Sequence, residues 1–100
     1  MKSTKRTIKK LVAKLDAEAD RVGLGHSDAV PRSAIGFDIS DTPNCIDFFD
    51  DFAYETISVA HAAELLGRLS ALPEGHFNQF PDEVWCETVW DFLKWTAVEY

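Results

Sequence analysis

The clearest periodicity in the chain lies near its N-terminus. Between residues 7 and 22 the apolar side chains recur three or four positions apart, as they do on one face of an amphipathic helix. These side chains are Ile8, Leu11, Val12, Leu15, Ala19 and Val22. Gly23 and Gly25 follow, and glycine readily adopts the left-handed conformation in which many helices end. The pattern predicts a first helix that ends at these glycines.

A second apolar stripe with helical spacing runs from Val59 to Leu72. Ser58 stands where a side chain can cap the first turn. Pro73 and Gly75 stand where a helix has to end. We expect a helix between these boundaries.

The last helix is predicted to begin at Pro81, with Asp82 and Glu83 in the first turn, where the helix dipole favours acidic side chains. Its apolar arc covers about 160° of the helical wheel, which is more than one neighbouring helix can cover. The arc contains Trp85, Cys86, Val89, Trp90, Phe92, Leu93 and Ala97. Trp90 lies near the margin of this arc, and Trp95 projects away from its centre.

Apolar and polar residues alternate from residue 35 to residue 40, with Ile35, Phe37 and Ile39 on one side. Alternation is typical of a half-buried strand. The other segment with alternating character and β-branched residues is Tyr54 to Val59. This segment is the candidate partner of the first strand in a small hairpin.

Between those two segments we expect a further helix. Asp41, Thr42 and Pro43 are typical of a helix start, with a capping side chain followed by proline at the first helical position. If the helix continues to Tyr54, a helical wheel separates an aromatic side from a carboxylate side. The aromatic side holds Cys45, Ile46, Phe48, Phe49 and Phe52, and the opposite side holds Asp47, Asp50, Asp51 and Tyr54.

These elements predict a single, mostly α domain over residues 1–100, with about four amphipathic helices around one core and a short β-hairpin. A small α+β arrangement is the alternative. The chain has 100 residues, 46% of them hydrophobic, which suits one core and leaves no room for a second. No apolar run approaches the ~20 residues that span a bilayer. The basic N-terminal residues are followed by a charged, amphipathic segment, where a secretory signal would need an unbroken apolar run. We therefore expect a protein of the bacterial or host-cell cytosol with no membrane contact.

The net charge of −7 is unevenly distributed along the chain. Six of the ten basic residues lie within the first fourteen positions, and all seventeen acidic residues lie after them. An acidic body repels nucleic acid and attracts basic surfaces, so we expect a protein partner with a basic surface and no direct nucleic-acid contact. We interpret the basic segment as a solvated helix end, with a nucleic-acid-binding arm as the alternative.

No pattern of catalytic or metal-binding residues is recognisable. His26, His61 and His76 are scattered, and no histidine or cysteine group with zinc spacing accompanies them. The aspartates between residues 38 and 51 lack the glycine and glutamate spacing of an EF-hand. There is no nucleophile elbow and no phosphate-binding glycine loop before a helix. We expect no enzyme activity, no cofactor and no metal.

What remains is a surface of carboxylates with some aromatic side chains. Rows of carboxylates on a rigid element present negative charge as a nucleic-acid backbone does, and aromatic neighbours supply desolvated anchors. The candidate partner-binding residues are Asp47, Asp50, Asp51, Tyr54, Glu55, Glu83, Glu87, Trp90, Asp91 and Trp95. The alternative is that the acidic residues only keep a small protein soluble.

In size, acidity and lack of a catalytic motif the chain resembles bacteriophage anti-defence proteins, including anti-CRISPR proteins, and the immunity proteins that neutralise bacterial nuclease toxins. The resemblance is to a class and assigns no role to any individual residue. It implies a small inhibitor that blocks a nuclease or a CRISPR effector. Two alternatives stay open. One is a structural or adaptor domain that forms a homodimer through the last helix, and the other is a transcription-related module with its first helix on DNA.

Overall fold

The computed structural model describes residues 4–24, 36–49, 54–81, 84, 87–89 and 91–92. Its elements are the helices α1 (Lys5–Val22) and α2 (Val59–Ser70), the strands β1 (Gly36–Ile39), β2 (Cys45–Phe49) and β3 (Tyr54–Ser58), and a short 3₁₀ helix (His76–Gln79). Residues 84, 87–89 and 91–92 are helical and form the C-terminal helical segment. The architecture is therefore α+β, and the prediction of four helices is wrong. Within the described residues, no helix is both long enough and apolar enough to cross a membrane.

The segment from Asp41 to Tyr54, predicted as a helix, begins with a turn that leads into strand β2. Asn44 ends this turn with a φ of 58°, a left-handed conformation that does not continue a right-handed helix. Burial then alternates along β2, with Ile46 and Phe48 buried and Phe49 exposed. A short apolar run fits a helical wheel and a strand equally well, and here the pairing with two neighbouring strands favours the strand.

β2 is the central strand of a three-stranded antiparallel sheet with the order β1–β2–β3. The register places Ile46 between Ile39 and Ile57, and it places Phe48 opposite Phe37. The alternation in the sequence predicts strands at β1 and β3, and both are confirmed. They do not pair with each other as expected, because β2 lies between them.

Helices α1 and α2 cover the apolar face of the sheet. The buried residues that they contribute are Ile8, Leu15, Ala19 and Val22 from α1 and Ala62, Leu65 and Leu69 from α2. On β2, Ile46 and Phe48 have no solvent-exposed surface. Burying an apolar side chain of this size stabilises a fold by about 1.5–3 kcal/mol relative to leaving it exposed, so β2 is a main source of stability.

The helix ends follow the sequence signals. Thr4 Oγ1 accepts a hydrogen bond from the backbone N–H of Thr7 at 3.2 Å at the start of α1. Gly23, with a φ of 90°, ends α1 in the predicted left-handed conformation. Ser58 Oγ accepts from the N–H of His61 at 3.1 Å and caps α2 as predicted. Such caps satisfy N–H groups that have no partner within the helix.

Arg21 ties the end of α1 to the end of α2. Its Nη2 donates a hydrogen bond to the carbonyl oxygen of Leu69 at 3.0 Å, and its Nε donates to Glu18 Oε2 at 2.6 Å. Ser70 Oγ donates to the other carboxylate oxygen of Glu18 at 3.0 Å. The last carbonyls of a helix have no partner within the helix. Arg21 Nη2 also donates to the carbonyl oxygen of Ser70 at 3.4 Å, so this network contacts two of these carbonyls and joins the two helices.

The C-terminal helical segment adds its described apolar side chains to the same core. Val89 is buried, and the Phe92 ring lies edge-on to Phe77 with 5.6 Å between the ring centroids. The guanidinium carbon of Arg68 lies 4.5 Å from the centroid of the Phe92 ring, within the range of a cation–π contact. Both Val89 and Phe92 belong to the predicted apolar arc of this helix, and the other members of that arc lie outside the described residues.

Phe48→Ala should destabilise the protein by about 3–5 kcal/mol, because it leaves a cavity beside the central strand. Phe49→Ala is the matched control: the same change one position later, on the exposed side, should cost about 1 kcal/mol or less. Urea denaturation followed by circular dichroism measures both losses. Phe48→Leu supplies a measurable intermediate loss if the alanine variant does not fold, and equal losses at the two positions would contradict the register of β2.

The fold should also lose stability in acid through Glu18. Hydrogen bonds from Arg21 and Ser70 lower the pKa of the Glu18 carboxyl. A carboxyl with a lower pKa in the folded chain contributes stability above its unfolded pKa, and this contribution disappears as the pH falls through the folded value. Glu18→Gln should therefore lower Tm at neutral pH and have little effect in strong acid. A Tm difference between wild type and variant that stays constant across this pH range would contradict the prediction.

Candidate functional surface

The register of the sheet decides which side chains point away from the helices. Side chains alternate between the two faces along a strand, and directly opposite residues of antiparallel strands share a face. Because Ile46 and Phe48 point into the core, the residues between and after them on β2 point away from it. We call this surface the outer sheet face. Among its described members are Gly36, Asp38, Asp47, Phe49 and Thr56.

Two carboxylates lie directly opposite each other on the outer sheet face. Asp38 of β1 pairs with Asp47 of β2, and Thr56 of β3 pairs with Asp47 on its other side. Thr56 Oγ1 donates a hydrogen bond to Asp47 Oδ1 at 2.5 Å, and Asp38 Oδ1 accepts from the N–H of Ile39 at 2.8 Å. Like charges in this arrangement are destabilising. Stability therefore does not explain the pair, although the two hydrogen bonds hold the carboxylates in place.

An aromatic ring lies beside this pair of carboxylates. Phe49 is 38% exposed. Its ring covers Gly36 of the neighbouring strand so closely that a Cβ atom on Gly36 would lie 2.7 Å from the ring. Glycine is the residue that permits this contact, because any side chain would push the ring away. The outer sheet face thus presents a supported aromatic surface next to two negative charges.

The structure places the side chains of only part of the predicted partner-binding set. Asp47 lies on the outer sheet face, whereas Glu55 lies opposite Phe48 and so belongs to the face that carries the core. Glu87 and Asp91 are exposed and lie one helical turn apart on the C-terminal helical segment. Tyr54 pairs with Phe49 through the strands. The remaining predicted residues, Asp50, Asp51, Glu83, Trp90 and Trp95, lie outside the described residues.

The tryptophans matter for the alternative hypothesis of a homodimer. That hypothesis depends on Trp90 and Trp95 and on the broad apolar arc of the last helix. Neither tryptophan is among the described residues. The homodimer therefore stays a prediction from the sequence.

Sequence reasoning missed Asp38, Gly36 and Thr56 as members of the surface. The polar side of the predicted first strand contains Gly36 and Asp38, so the alternation already indicated that they face away from the core. Which residues they meet depends on the register with β2, and β2 was expected to be a helix. The alternation that exposes Gly36 and Asp38 is visible in the sequence. Their neighbours across the sheet could not be predicted, because the segment that forms β2 was predicted to be a helix.

Two open cavities lie elsewhere on the described surface. One of about 310 Å³ lies at the turn between β1 and β2, and Lys5, Ile8 and Cys45 are among its lining residues. The other lies between α1 and α2 and is lined in part by Lys14, Glu18 and Arg21. Among the described residues, no three His, Cys, Asp or Glu side chains come close enough to share a metal ion. The outer sheet face combines two opposed carboxylates with an exposed aromatic ring and is the stronger candidate for a functional surface.

The chain matches no protein-family model, no curated protein and no solved structure.

Asp38→Asn should stabilise the protein, because it removes the repulsion with Asp47 and keeps the oxygen that accepts from Ile39. We expect a gain of about 0.2–1 kcal/mol in the free energy of unfolding at low salt. The gain should shrink in ~1 M salt, where the Debye length is ~3 Å. Urea denaturation at the two salt concentrations measures it.

The control for this prediction is Asp41→Asn. Asp41 is also exposed, but it lies in the turn between β1 and β2 and outside the strand pairing. It should show no comparable gain. An equal gain in the control, or a gain in Asp38→Asn that does not depend on salt, would show that repulsion between the paired carboxylates is not the cause.

Proposed function

We propose that this protein is a small inhibitor without enzymatic activity, which uses its outer sheet face to bind and block the basic surface of a nucleic-acid-handling protein. The proposed target is a nuclease or a CRISPR effector in the cytosol of a bacterium or host cell. The observation that carries the proposal is the pair of opposed carboxylates, Asp38 and Asp47, beside the exposed ring of Phe49.

The carboxylate pair suits a basic partner. A guanidinium or ammonium group placed between Asp38 and Asp47 would relieve their mutual repulsion and gain charge-assisted hydrogen bonds with both. Asp38 already holds one hydrogen bond with its own strand and Asp47 one with Thr56, so each carboxylate is partly positioned before binding. Preorganised groups lose less entropy on association, which favours affinity.

Phe49 supplies the apolar part of the same surface. Aromatic side chains near the centre of an interface often carry much of the binding energy when a partner excludes water from them. The ring is supported by Gly36 below it and is also within reach of stacking by an arginine that approaches the carboxylates. The surface therefore combines charge for fast association with an anchor for slower dissociation.

The stability cost of this surface supports a role in binding. Opposed carboxylates make the free protein less stable than a neutral polar pair would. Residues that lower stability without structural compensation are often found where a partner provides the compensation. Solubility alone needs acidic residues, but it needs neither their direct opposition nor the neighbouring aromatic ring.

The test is the capture of a target by immobilised protein and by the variant Asp38→Asn/Asp47→Asn. Wild type should retain a nucleic-acid-binding protein from bacterial lysate, release it at moderate salt, and lose it when that target's nucleic acid is added as competitor. The variant should bind the purified target at least tenfold more weakly, because it lacks the two charges that the basic surface needs.

The matched control is Asp20→Asn/Glu74→Gln, which removes two exposed carboxylates outside the outer sheet face. It should bind the purified target as wild type does. A second variant, Glu87→Gln/Asp91→Asn, measures whether the C-terminal helical segment contributes. Equal binding by wild type and by Asp38→Asn/Asp47→Asn would disprove the assignment of the outer sheet face, and a target whose capture is insensitive to nucleic acid would disprove the blocking role.

A further inference from the structure

The exposed side of α1 carries a dense group of positive charges. Ten consecutive residues of the helix contain five cations, all of them exposed, and we call this surface the basic helix face. Its members are Lys5, Arg6, Lys9, Lys10 and Lys14. On a helical wheel they span roughly 180°, opposite the buried stripe that begins at Ile8.

Neither helix stability nor ion pairing among the described residues explains the basic helix face. Cations near a helix N-terminus oppose the helix dipole, and Lys5 with Lys9, Arg6 with Lys10 and Lys10 with Lys14 place like charges four residues apart. Within the described part of the chain, no ion pair joins any of the five to a carboxylate. The structure thus accommodates five cations that make the isolated helix less stable.

The acidic outer sheet face lies on the other side of the molecule. α1 packs on the apolar face of the sheet, and its cations point away from that face. A helix axis lies about 10 Å from the layer it packs on, and its side chains extend about 5 Å further. The Debye length at physiological ionic strength is ≈ 8 Å, so the cations that point away from the sheet are largely screened from the carboxylates on its other face. Lys5 differs from the others, because it also lines the cavity at the turn between β1 and β2, where Asp41 lies. The net charge of −7 therefore does not describe the potential at the basic helix face.

We propose that the basic helix face binds the phosphate backbone of duplex nucleic acid, without reading the bases. The five cations span about 14 Å along the helix, and a duplex presents one phosphate charge per ≈ 1.7 Å, or about eight over that length. A second copy of this chain matches the basic helix face less well than a duplex does, because its outer sheet face offers only two described carboxylates, Asp38 and Asp47. A membrane surface is also a poorer match. A helix that lies on a membrane inserts its apolar side chains, and those of α1 are buried in the core.

This proposal does not depend on the proposed function, because it uses a different surface. It also departs from the expectation, based on the acidity of the whole chain, that nucleic acid is not contacted. Binding of this kind is weak at physiological salt, with dissociation constants of about 10⁻⁴ to 10⁻⁶ M, and it depends steeply on salt. The slope of log K against log salt is proportional to the number of phosphates contacted and is therefore the quantity to measure.

The experiment follows the fluorescence anisotropy of a labelled DNA duplex of about 20 base pairs with random sequence, over a series of salt concentrations. If all five cations engage, log K should fall with log salt at a slope of about −4.5. Lys9→Gln/Lys10→Gln should reduce the slope to about −2.7, since each lost contact removes about 0.9. Glutamine has nearly the helix propensity of lysine, so α1 should remain folded.

Ala60→Glu/Ala63→Glu is the matched control, because it gives the same net charge through two exposed positions of α2. It should retain the wild-type slope, and so should Asp38→Asn/Asp47→Asn on the outer sheet face. The proposal is overturned by any of three results: no anisotropy change at the lowest salt, an unchanged slope in Lys9→Gln/Lys10→Gln, or an equal reduction in the α2 control. Binding to anionic lipid vesicles without binding to the duplex would overturn it as well.

Discussion

The buried side of β2 is the constraint on which the rest of the structure depends. Ile46 and Phe48 have no exposed surface, and both lie on the central strand, where they meet the apolar residues of the neighbouring strands and of the two helices. Because side chains alternate along a strand, burying these two forces Asp47 and Phe49 to the opposite face. The composition of the outer sheet face is thus a consequence of how the core is formed.

The core also separates the charges of the molecule. α1 buries its apolar stripe on one side of the sheet and exposes its cations, while β1 and β2 expose carboxylates on the other side. Such a separation does not follow from the net charge, which is a sum over the whole chain. It follows from the amphipathic patterns of one helix and two strands that share a core. A protein with this arrangement presents two surfaces of opposite charge to its surroundings.

The elements that sequence reasoning predicts correctly are those with strong local signals. α1 has four turns of apolar periodicity and ends at Gly23, and α2 has a capping serine at Ser58. β2 fails because five residues are too few to separate a period of 2 from one of 3.6, and because Pro43 in the preceding turn is also typical of a helix start. The prediction of the functional surface is incomplete for the same reason. Asp38 and Asp47 lie opposite each other because of the register between two strands, and this register cannot be read from the local sequence pattern of either strand.

The interior of this protein satisfies the usual structural preferences, whereas its surface places like charges close together. In the described core the side chains are apolar and the helix ends are capped, so local and global preferences agree. On the surface, carboxylates oppose each other across β1 and β2, and cations crowd the start of α1. Conflicts of this kind are expected at functional sites, where a partner supplies the missing opposite charge. If both surfaces bind as we propose, nucleic acid held by the basic helix face would raise the local concentration of the protein near a target on the same strand. The weak binding of the basic helix face would then increase the occupancy of the outer sheet face, although the two surfaces share no contact.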